Sequence, residues 1–340
     1  MGTQGGVKAR MWGLGATAVG LVGLAVAAHR AMIAVKPGVA PPAMGDAARA
    51  EVAALEGRLM GHVRVLASRI GERNLSRPPA LQAAAAYIRE VWEGQGFAVA
   101  EEAFPAGGLR AANLVVELPG SPGSGEILLV GAHYDSALGS PGANDNATGV
   151  ALLLEMSRAL RGEALPRTVR FVAFANEEPP YFTTEAMGSR VHARSARRRG
   201  DAISAMLSLE TLGYYASGPR SQRYPFPFGA FYPETGDFLA VVGNLRSRGL
   251  VVDFLRHFLA ASDFPVEGVA APERVPGVHW SDHWAFWREG YRALMLTDTA
   301  PFRYPAYHTH GDVPEAINAP AFARAGYGII RAVRRLAGGA

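Results

Sequence analysis

The sequence predicts an α/β fold, in which a single domain is built on a mixed, largely parallel central sheet flanked by helices on both faces. Short apolar runs of strand length alternate along the chain with longer segments of helical periodicity, a pattern typical of parallel sheets. The run Glu126–Ala132 is almost wholly apolar, as expected of a strand buried on both faces. The chain has 340 residues, 49% hydrophobic and 19% charged, and can therefore bury a sizeable core.

The predicted elements begin with two helices, after which strands and helices alternate. The second helix, Leu81–Trp92, is followed by Gly94 and Gly96, which are typical helix terminators. Helices are expected at 48–66, 81–92, 147–160, 187–199, 245–261 and 319–336. Strands are expected at 97–104, 113–118, 126–132, 168–175, 203–209, 238–242 and 293–297. The stretch 214–236 is aromatic, rich in Pro and Gly and aperiodic, and a loop of that length is usually functional or mobile.

The first 46 residues are expected to hold a membrane anchor and a linker. Lys8 and Arg10 precede residues 11–28, an apolar run without charge that is just long enough to span a bilayer. The basic flank places residues 1–10 in the cytoplasm and the remainder in the periplasm or outside the cell. An uncleaved anchor is favoured over a cleaved signal peptide, which would make the protein secreted. Residues 29–46, rich in Pro, Gly and Ala, are interpreted as a linker, and 47–340 as the globular domain.

Two features of the composition exclude classes of function. Cysteine is absent, so any metal must be bound by His, Asp or Glu, and disulfides and thiolate nucleophiles are ruled out. The formal net charge is +4, with much of the excess in the run Arg194–Arg199. Such a run is usually a solvated helix end, and no nucleic-acid partner is expected.

Acids and histidines follow the predicted strands at the points where the strands end. Because ligands of open α/β sheets bind beyond the carboxyl ends of the strands, these side chains are expected to meet at one edge. Each alone has an ordinary explanation, such as a helix N-cap for an Asp before a helix, but their coincidence indicates a site. The set is His133, Asp135, Asp145, Glu177, Glu178, Glu210 and His308.

Oxygen and nitrogen ligands without sulfur suit zinc or a similar divalent ion, and the number of ligands requires two ions. Asp145, in a tight Gly/Asn loop, is the candidate for a carboxylate that bridges the pair. Of the adjacent Glu177 and Glu178, one can bind a metal while the other reaches the metal-bound water. Asp135 is two residues from His133 and is expected to hold its second ring nitrogen.

Several motifs together resemble the M28 family of zinc aminopeptidases and related di-zinc exopeptidases. They are GAHYDS, GANDNATG, NEE, SLETLGYY and YHTHGDVPE, and the resemblance covers about residues 50–338. The segment NEEPPYFTTEAMGSR is similar to a membrane-anchored bacterial branch of the family. The resemblance implies a zinc exopeptidase fold and a peptide substrate.

The resemblance also implies a role for each residue. His133 and Glu210 would bind one zinc, Glu178 and His308 the other, and Asp145 would bridge the two ions. Glu177 would be the general base that takes a proton from the bridging water. Tyr307 would help to stabilise the oxyanion. Ser281-Asp282-His283 matches a family segment near the substrate, although His283 can equally be an aromatic-cluster histidine because tryptophans and Phe286 surround it.

Three departures from the family pattern and two alternative functions stay open. Many members have Asp where Glu210 stands, and the inserted Pro179–Ala186 is expected to form a wall of the substrate pocket. His310 competes with His308 as a ligand, but His308 is preferred because it follows Tyr307. The first alternative is a glutaminyl-cyclase-like transferase, which resembles a single-zinc site. The second is a receptor-like ectodomain that has lost catalysis.

Overall fold

A computed structural model describes residues 26–30, 32–33 and 35–338 of the chain. Most of the predicted anchor, 11–28, therefore lies outside the described residues. No helix within the described ranges has the length and apolar character that crossing a membrane requires.

The described part of the chain forms one mixed sheet of eight strands, in the order β1-β2-β4-β3-β5-β8-β6-β7. The pairs β3–β4, β3–β5, β5–β8 and β6–β7 are parallel, and the other three pairs are antiparallel. The strands are β1 Ala100–Ala106, β2 Leu109–Leu118, β3 Glu126–His133, β4 Thr168–Phe174, β5 Ala202–Glu210, β6 Leu239–Gly243, β7 Val266–Ala270 and β8 Ala293–Thr297. The predicted α/β class with a mixed, mostly parallel sheet is confirmed.

Helices cover both faces of the sheet. The longer α-helices are Asp46–Arg64, Pro78–Gly94, Thr148–Leu160, Gly188–Arg199, Arg248–Leu259 and Ala319–Leu336. Shorter α-helices are His283–Arg288 and Ala300–Arg303, and a π-helical turn occurs at Val65–Ile70. Ala143–Ala147 is a kinked turn with non-helical backbone at Asp145 and Asn146. Single 3₁₀ turns occupy Phe228–Ala230, Leu245–Ser247 and Pro314–Ala316.

The central strand β3 is buried on both sides, as its apolar sequence predicts. Leu128 and Val130 belong to the larger hydrophobic cluster, which includes the helices Asp46–Arg64 and Thr148–Leu160. Leu129, between them, points to the second cluster, which includes residues of His283–Arg288. Because side chains alternate along a strand, the two clusters lie on opposite faces of the sheet.

Most predicted elements are present, with ends displaced by a few residues. Strand β7 and the short helices His283–Arg288 and Ala300–Arg303 are not in the prediction, and the expected helix 245–261 is split into a 3₁₀ turn and an α-helix. The run Arg194–Arg199 forms the end of the helix Gly188–Arg199, and its last three residues, Arg197–Arg199, are exposed to solvent.

Candidate metal centre

The first group of candidate ligands lies at the carboxyl ends of the parallel strands β3 and β5. His133 ends β3 and Glu210 ends β5, and the two strands are paired directly. His133 Nε2 lies 3.3 Å from Glu210 Oε2 and 3.3 Å from Asp145 Oδ1. The common direction of the strands therefore brings together residues 77 positions apart in sequence.

A second group forms around His308 and shares Asp145 with the first. His308 Nε2 lies 3.0 Å from Asp145 Oδ2 and 3.1 Å from Glu178 Oε2. Asp145 thus presents one carboxylate oxygen to each histidine. Glu177 lies between the groups, with Oε2 3.9 Å from His133 Nε2.

Several buried polar atoms of this cluster have no hydrogen-bond partner among the described residues. They are both ring nitrogens of His133, Asp145 Oδ1, Glu178 Oε1 and His308 Nε2. An unpartnered buried polar atom costs free energy, and a cluster of such atoms indicates that something else satisfies them. Nitrogen and carboxylate donors within 4.8 Å of one another fit divalent cations such as zinc.

The protonation behaviour of the cluster also indicates a site for cations. Burial and the neighbouring Asp145 carboxylate raise the pKa of Glu178 to about 8, and burial raises the pKa values of Glu177 and Glu210. Burial lowers the pKa of His308, but the adjacent carboxylates of Asp145 and Glu178, 3.0 and 3.1 Å from its Nε2, outweigh burial and raise that pKa to about 10. Without added cations the cluster must therefore retain protons, which bound metal ions would displace.

Asp135 supports this cluster through the backbone of the two glutamates. Its Oδ1 accepts a hydrogen bond from the Glu177 N–H and its Oδ2 one from the Glu178 N–H, each at 3.1 Å. His133 Nδ1 is 3.5 Å from Asp135 Oδ1 and makes no hydrogen bond. Asp135 thus orients the glutamate pair, and its support of the His133 ring stays a prediction.

The loop that carries Asp145 is held from below by Asp312. The Asp312 carboxylate accepts hydrogen bonds from the Asn144 N–H at 2.7 Å and the Asp145 N–H at 3.0 Å. Gly142 has φ +64°, and a Cβ there would lie 2.4 Å from the Asp145 carbonyl oxygen. The tight turn therefore requires glycine, as the sequence suggested. The Asp145–Asn146 peptide bond is cis.

Arg73 supports the same loop from the interior. It is fully buried, and its guanidinium donates to the carbonyl oxygens of Tyr134 at 2.7 Å, Pro141 at 2.5 Å and Gly142 at 2.8 Å. Neither Arg73 nor Asp312 is in the predicted site. The only signal for Asp312 is its place in YHTHGDVPE, four residues after His308.

The segment Ser281-Asp282-His283 adjoins the first group of ligands. Ser281 donates a hydrogen bond to Glu210 Oε2 at 2.7 Å, and its hydroxyl is also 2.7 Å from that of Ser208. His283 is buried, contacts the Trp287 ring edge-on and hydrogen-bonds through Nε2 to the Val278 carbonyl. Of the two interpretations of His283, the structure therefore favours an aromatic-cluster histidine.

Tyr307 lies beside the second group. Its ring stacks on His308 with the ring centroids 3.8 Å apart, and burial raises its pKa. His310 is exposed and belongs to none of the ligand groups, whereas His308 does. His308 and Asn176 have φ of 57° and 59°, a strained conformation that is common at functional sites.

A largely apolar pocket of about 110 Å³ adjoins the cluster at Glu210 and Tyr307. Part of its wall comes from the aromatic loop 214–236. The inserted Pro179–Ala186 does not line this pocket, contrary to expectation; Phe182 instead stacks on His279, beside Trp280 of the pocket wall. The aromatic lining residues are Tyr224, Phe228, Tyr232, Phe238, Trp280 and Phe302, with Tyr307 at the metal side.

The sequence of the chain is similar to those of known metallopeptidases. The profile of "Peptidase family M28" matches residues 113–333. The uncharacterized protein YfbL of Escherichia coli (strain K12) is 38% identical over 277 residues, which cover 79% of this chain and 84% of the relative. "Aminopeptidase YwaD" of Bacillus subtilis (strain 168) is 49% identical over 53 residues, 16% of this chain and 12% of that protein.

Solved structures share the fold at low identity. The zinc aminopeptidase BSAP from Bacillus subtilis has a TM-score of 0.63 and 15% identity, with 83% of this chain and 95% of that chain covered. A glutaminyl cyclase from Fimbriiglobus ruber has a TM-score of 0.60 and 20% identity, over 82% and 94% of the two chains. The structures show the zinc exopeptidase fold, and the profile and the E. coli relative show that the chain belongs to peptidase family M28.

Proposed function

We propose that the protein is a di-zinc aminopeptidase that removes N-terminal residues with bulky apolar side chains from peptides. The observation that carries the proposal is the position of Asp145. Its two oxygens lie 3.3 Å from His133 Nε2 and 3.0 Å from His308 Nε2, so that one carboxylate serves two ligand groups. A shared carboxylate is the arrangement expected when two metal ions act together on one bond.

The residues divide into ligands and acid–base groups. His133, Glu210 and Asp145 would hold one ion, and His308, Glu178 and Asp145 the other. When bound, the ions would polarise the scissile carbonyl and lower the pKa of water. Glu177 belongs to neither of these two groups, although it can form a third with His133 and Glu178, and its Oε2 lies 3.9 Å from His133 Nε2. Burial and the neighbouring carboxylates raise the pKa of Glu177, which suits a base that takes a proton from water and passes it to the leaving amine.

The pocket supports the choice of substrate. It begins at Glu210 and Tyr307 and continues between aromatic and aliphatic side chains, so that a substrate side chain can enter it while the scissile bond lies at the metals. Tyr307, which stacks on His308 and lines the pocket, would donate a hydrogen bond to the oxyanion. Its raised pKa keeps the hydroxyl protonated at neutral pH.

The Glu177→Gln variant tests the proposed base. The substitution keeps the shape of the side chain but removes the acceptor of the proton. We expect the variant to bind metal like the wild type and to hydrolyse leucine p-nitroanilide about 10²–10⁴-fold more slowly. Glu185→Gln, on an exposed side chain of the insertion, is the matched control and should keep full activity. Wild-type activity in Glu177→Gln would refute the assignment.

Metal stoichiometry separates this proposal from the cyclase alternative. A fully loaded chain should contain about two zinc ions, because each of the two groups offers three ligand residues. Elemental analysis after dialysis gives the count. A value near one, together with cyclisation of an N-terminal glutamine substrate, would favour the glutaminyl-cyclase-like function.

The location of the enzyme is a separate proposal. We infer from residues 8–28 that the chain is anchored in the membrane and that its catalytic domain faces the periplasm or the cell exterior. Fractionation of cells that express the full chain tests this inference. Recovery of the intact protein in the soluble cytoplasmic fraction would overturn it.

A further inference from the structure

The segment before the first long helix contacts the domain at the edge of the sheet. Strand β7 is the last in the sheet order, so one of its edges has no neighbouring strand among the described residues. Val35 is buried and lies on one face of β7, where a Cβ on Gly268 would be 3.0 Å from it. The next residue, Lys36, pairs with Glu267 on the other face, with Nζ 2.9 Å from Oε1. The chain therefore crosses the edge of the sheet at residues 35–36, within the predicted linker.

Glu267 is also part of the wall of the apolar pocket. It lines the pocket together with Tyr232 and Tyr224, whose rings are stacked with centroids 5.8 Å apart. The Tyr232 hydroxyl donates a hydrogen bond to the carbonyl oxygen of Gly268, which fixes this wall against β7. Burial raises the pKa values of both tyrosines, and the Glu267 carboxylate adds to the effect, as expected when the three groups are close.

The pocket is mainly apolar and aromatic, with Glu210 at the metal end and Arg223 also in its lining. A carboxylate in the wall of such a pocket favours ligands with a positive charge. The aromatic faces would receive the aliphatic stem of a lysine or arginine side chain, and the carboxylate its charged end. In this chain Glu267 pairs with the ammonium group of Lys36, which approaches its Oε1 to 2.9 Å from the half-exposed N-terminal segment and is not itself part of the pocket lining. The pair neutralises the wall, and the pocket as a whole then suits uncharged side chains.

We propose that Glu267 is a cation-binding subsite of the substrate pocket and that Lys36 of the N-terminal segment occupies it. When Lys36 does not pair with Glu267, the subsite would bind the ammonium or guanidinium group of a basic N-terminal residue of the substrate. The inference rests on the proposed aminopeptidase function, because it takes the pocket as the place of the N-terminal side chain. The segment 35–36 thus sets the specificity of the enzyme without contacting the metal ligands.

Removal of Lys36 is not expected to unfold the protein. The Lys36 side chain is 47% exposed and that of Glu267 23%, and ion pairs with this exposure contribute little to stability. Val35, which is buried, stays in place in the variant Lys36→Met. A change in specificity can therefore be separated from a loss of fold.

The test compares lysine with norleucine, which has a similar aliphatic chain but no charge. In the full-length chain, Lys36→Met should raise the ratio of kcat/KM for lysine p-nitroanilide to that for norleucine p-nitroanilide by about tenfold. The double variant Lys36→Met/Glu267→Gln should restore the wild-type ratio. Arg49→Met removes another basic side chain that pairs with an acid, Asp46, and should leave the ratio unchanged.

The same comparison can be made without catalysis, by measuring calorimetrically how tightly lysinamide and norleucinamide bind to the metal-loaded chain. Lys36→Met should strengthen the binding of lysinamide about tenfold relative to norleucinamide. If the wild type hydrolyses no aminoacyl substrate, the proposed function fails, but binding still decides whether the subsite exists. Equal ratios in the wild type and in Lys36→Met, or the same increase in Arg49→Met, would overturn the subsite.

Discussion

At the scale of single residues, Asp135 supports the metal ligands without belonging to either ligand group. Its carboxylate accepts one hydrogen bond from the backbone N–H of Glu177 and one from that of Glu178. Each carboxylate oxygen therefore fixes the backbone of one glutamate, so that both glutamate side chains point into the metal cluster. Bonds to a charged carboxylate are stronger than those to a neutral acceptor.

The Asp135→Asn variant should weaken metal binding while the fold is retained. Asparagine offers one acceptor oxygen, and its NH₂ group would face one of the two backbone N–H donors. We expect metal affinity to fall about 10–100-fold, as is typical when a partner of a ligand is changed. Competition with a chromophoric chelator measures the effect, and Asp263→Asn, at a surface pair with Arg324, is the control. Equal affinities in the two variants would show that Asp135 does not position the glutamates.

The ligand candidates could be found from sequence because their chemistry and their place at strand ends coincide. His133, Glu210 and the pair Glu177–Glu178 lie at or just after the ends of the parallel strands β3, β5 and β4. The common direction of these strands is enough to bring the four residues to one edge of the sheet. Arg73 and Asp312 could not be found in this way. Their role consists of hydrogen bonds to backbone groups distant in sequence, such as Asp312 to the N–H of Asp145, and residue type does not reveal these.

At the scale of elements, Arg73 joins the segment after the first helix to the metal loop. Burial lowers its pKa to about 10, so the guanidinium is still charged at neutral pH, with Asp312 as its nearest acidic influence. Its donors reach carbonyl oxygens on both sides of the loop, at Tyr134 and at Pro141 and Gly142. The planar fork of arginine carries five donors in fixed directions and can serve acceptors that lie far apart, which the compact ammonium of lysine cannot span.

The Arg73→Lys variant keeps the charge and removes the fork. At least two of the three carbonyl oxygens should lose their partner in the interior, at about 1 kcal/mol or more each. We expect the metal-free protein to lose about 2–4 kcal/mol of unfolding free energy, measured by urea titration with excess chelator. Arg77→Lys, an exposed residue of the same segment that pairs with Glu72, should change the free energy little. Similar midpoints for both variants would contradict this role.

Elements with strong periodicity were predictable, and two of those that were missed show the physical reasons. Strand β7, VEGVA, is short and has Gly268 and Glu267 in its middle, both unfavourable in strands. It is a strand because β6 provides a parallel partner and the hydrophobic clusters bury its apolar residues. The helix His283–Arg288 has only six residues and is aromatic, so that packing rather than propensity forms it.

At the scale of the whole molecule, the sheet separates two hydrophobic regions, and the metal cluster lies where three parallel strands end between them. The region on the side of His283–Arg288 contains buried His283, whose Nδ1 has no hydrogen-bond partner among the described residues. Burial lowers the pKa of His283 to about 3. This histidine therefore links the stability of the entire fold to pH.

The sign of this linkage follows from the direction of the shift. The pKa of His283 is lower in the folded state than in the unfolded state, where it is near 6.5, so the unfolded chain binds the extra proton first. Stability is complete above pH 6.5 and is lost as pH falls from there towards 3, by about 1.4 kcal/mol per pH unit. Between pH 6.5 and 5 the loss from this residue is about 2 kcal/mol.

Urea titrations with excess chelator should show that the unfolding free energy of the wild type falls by this much more than that of His283→Leu over the same interval. The metal ligands titrate equally in both proteins, so their contribution cancels in the comparison. Parallel pH dependences would mean that the folded protein accommodates the charged imidazole, contrary to its burial against Trp287.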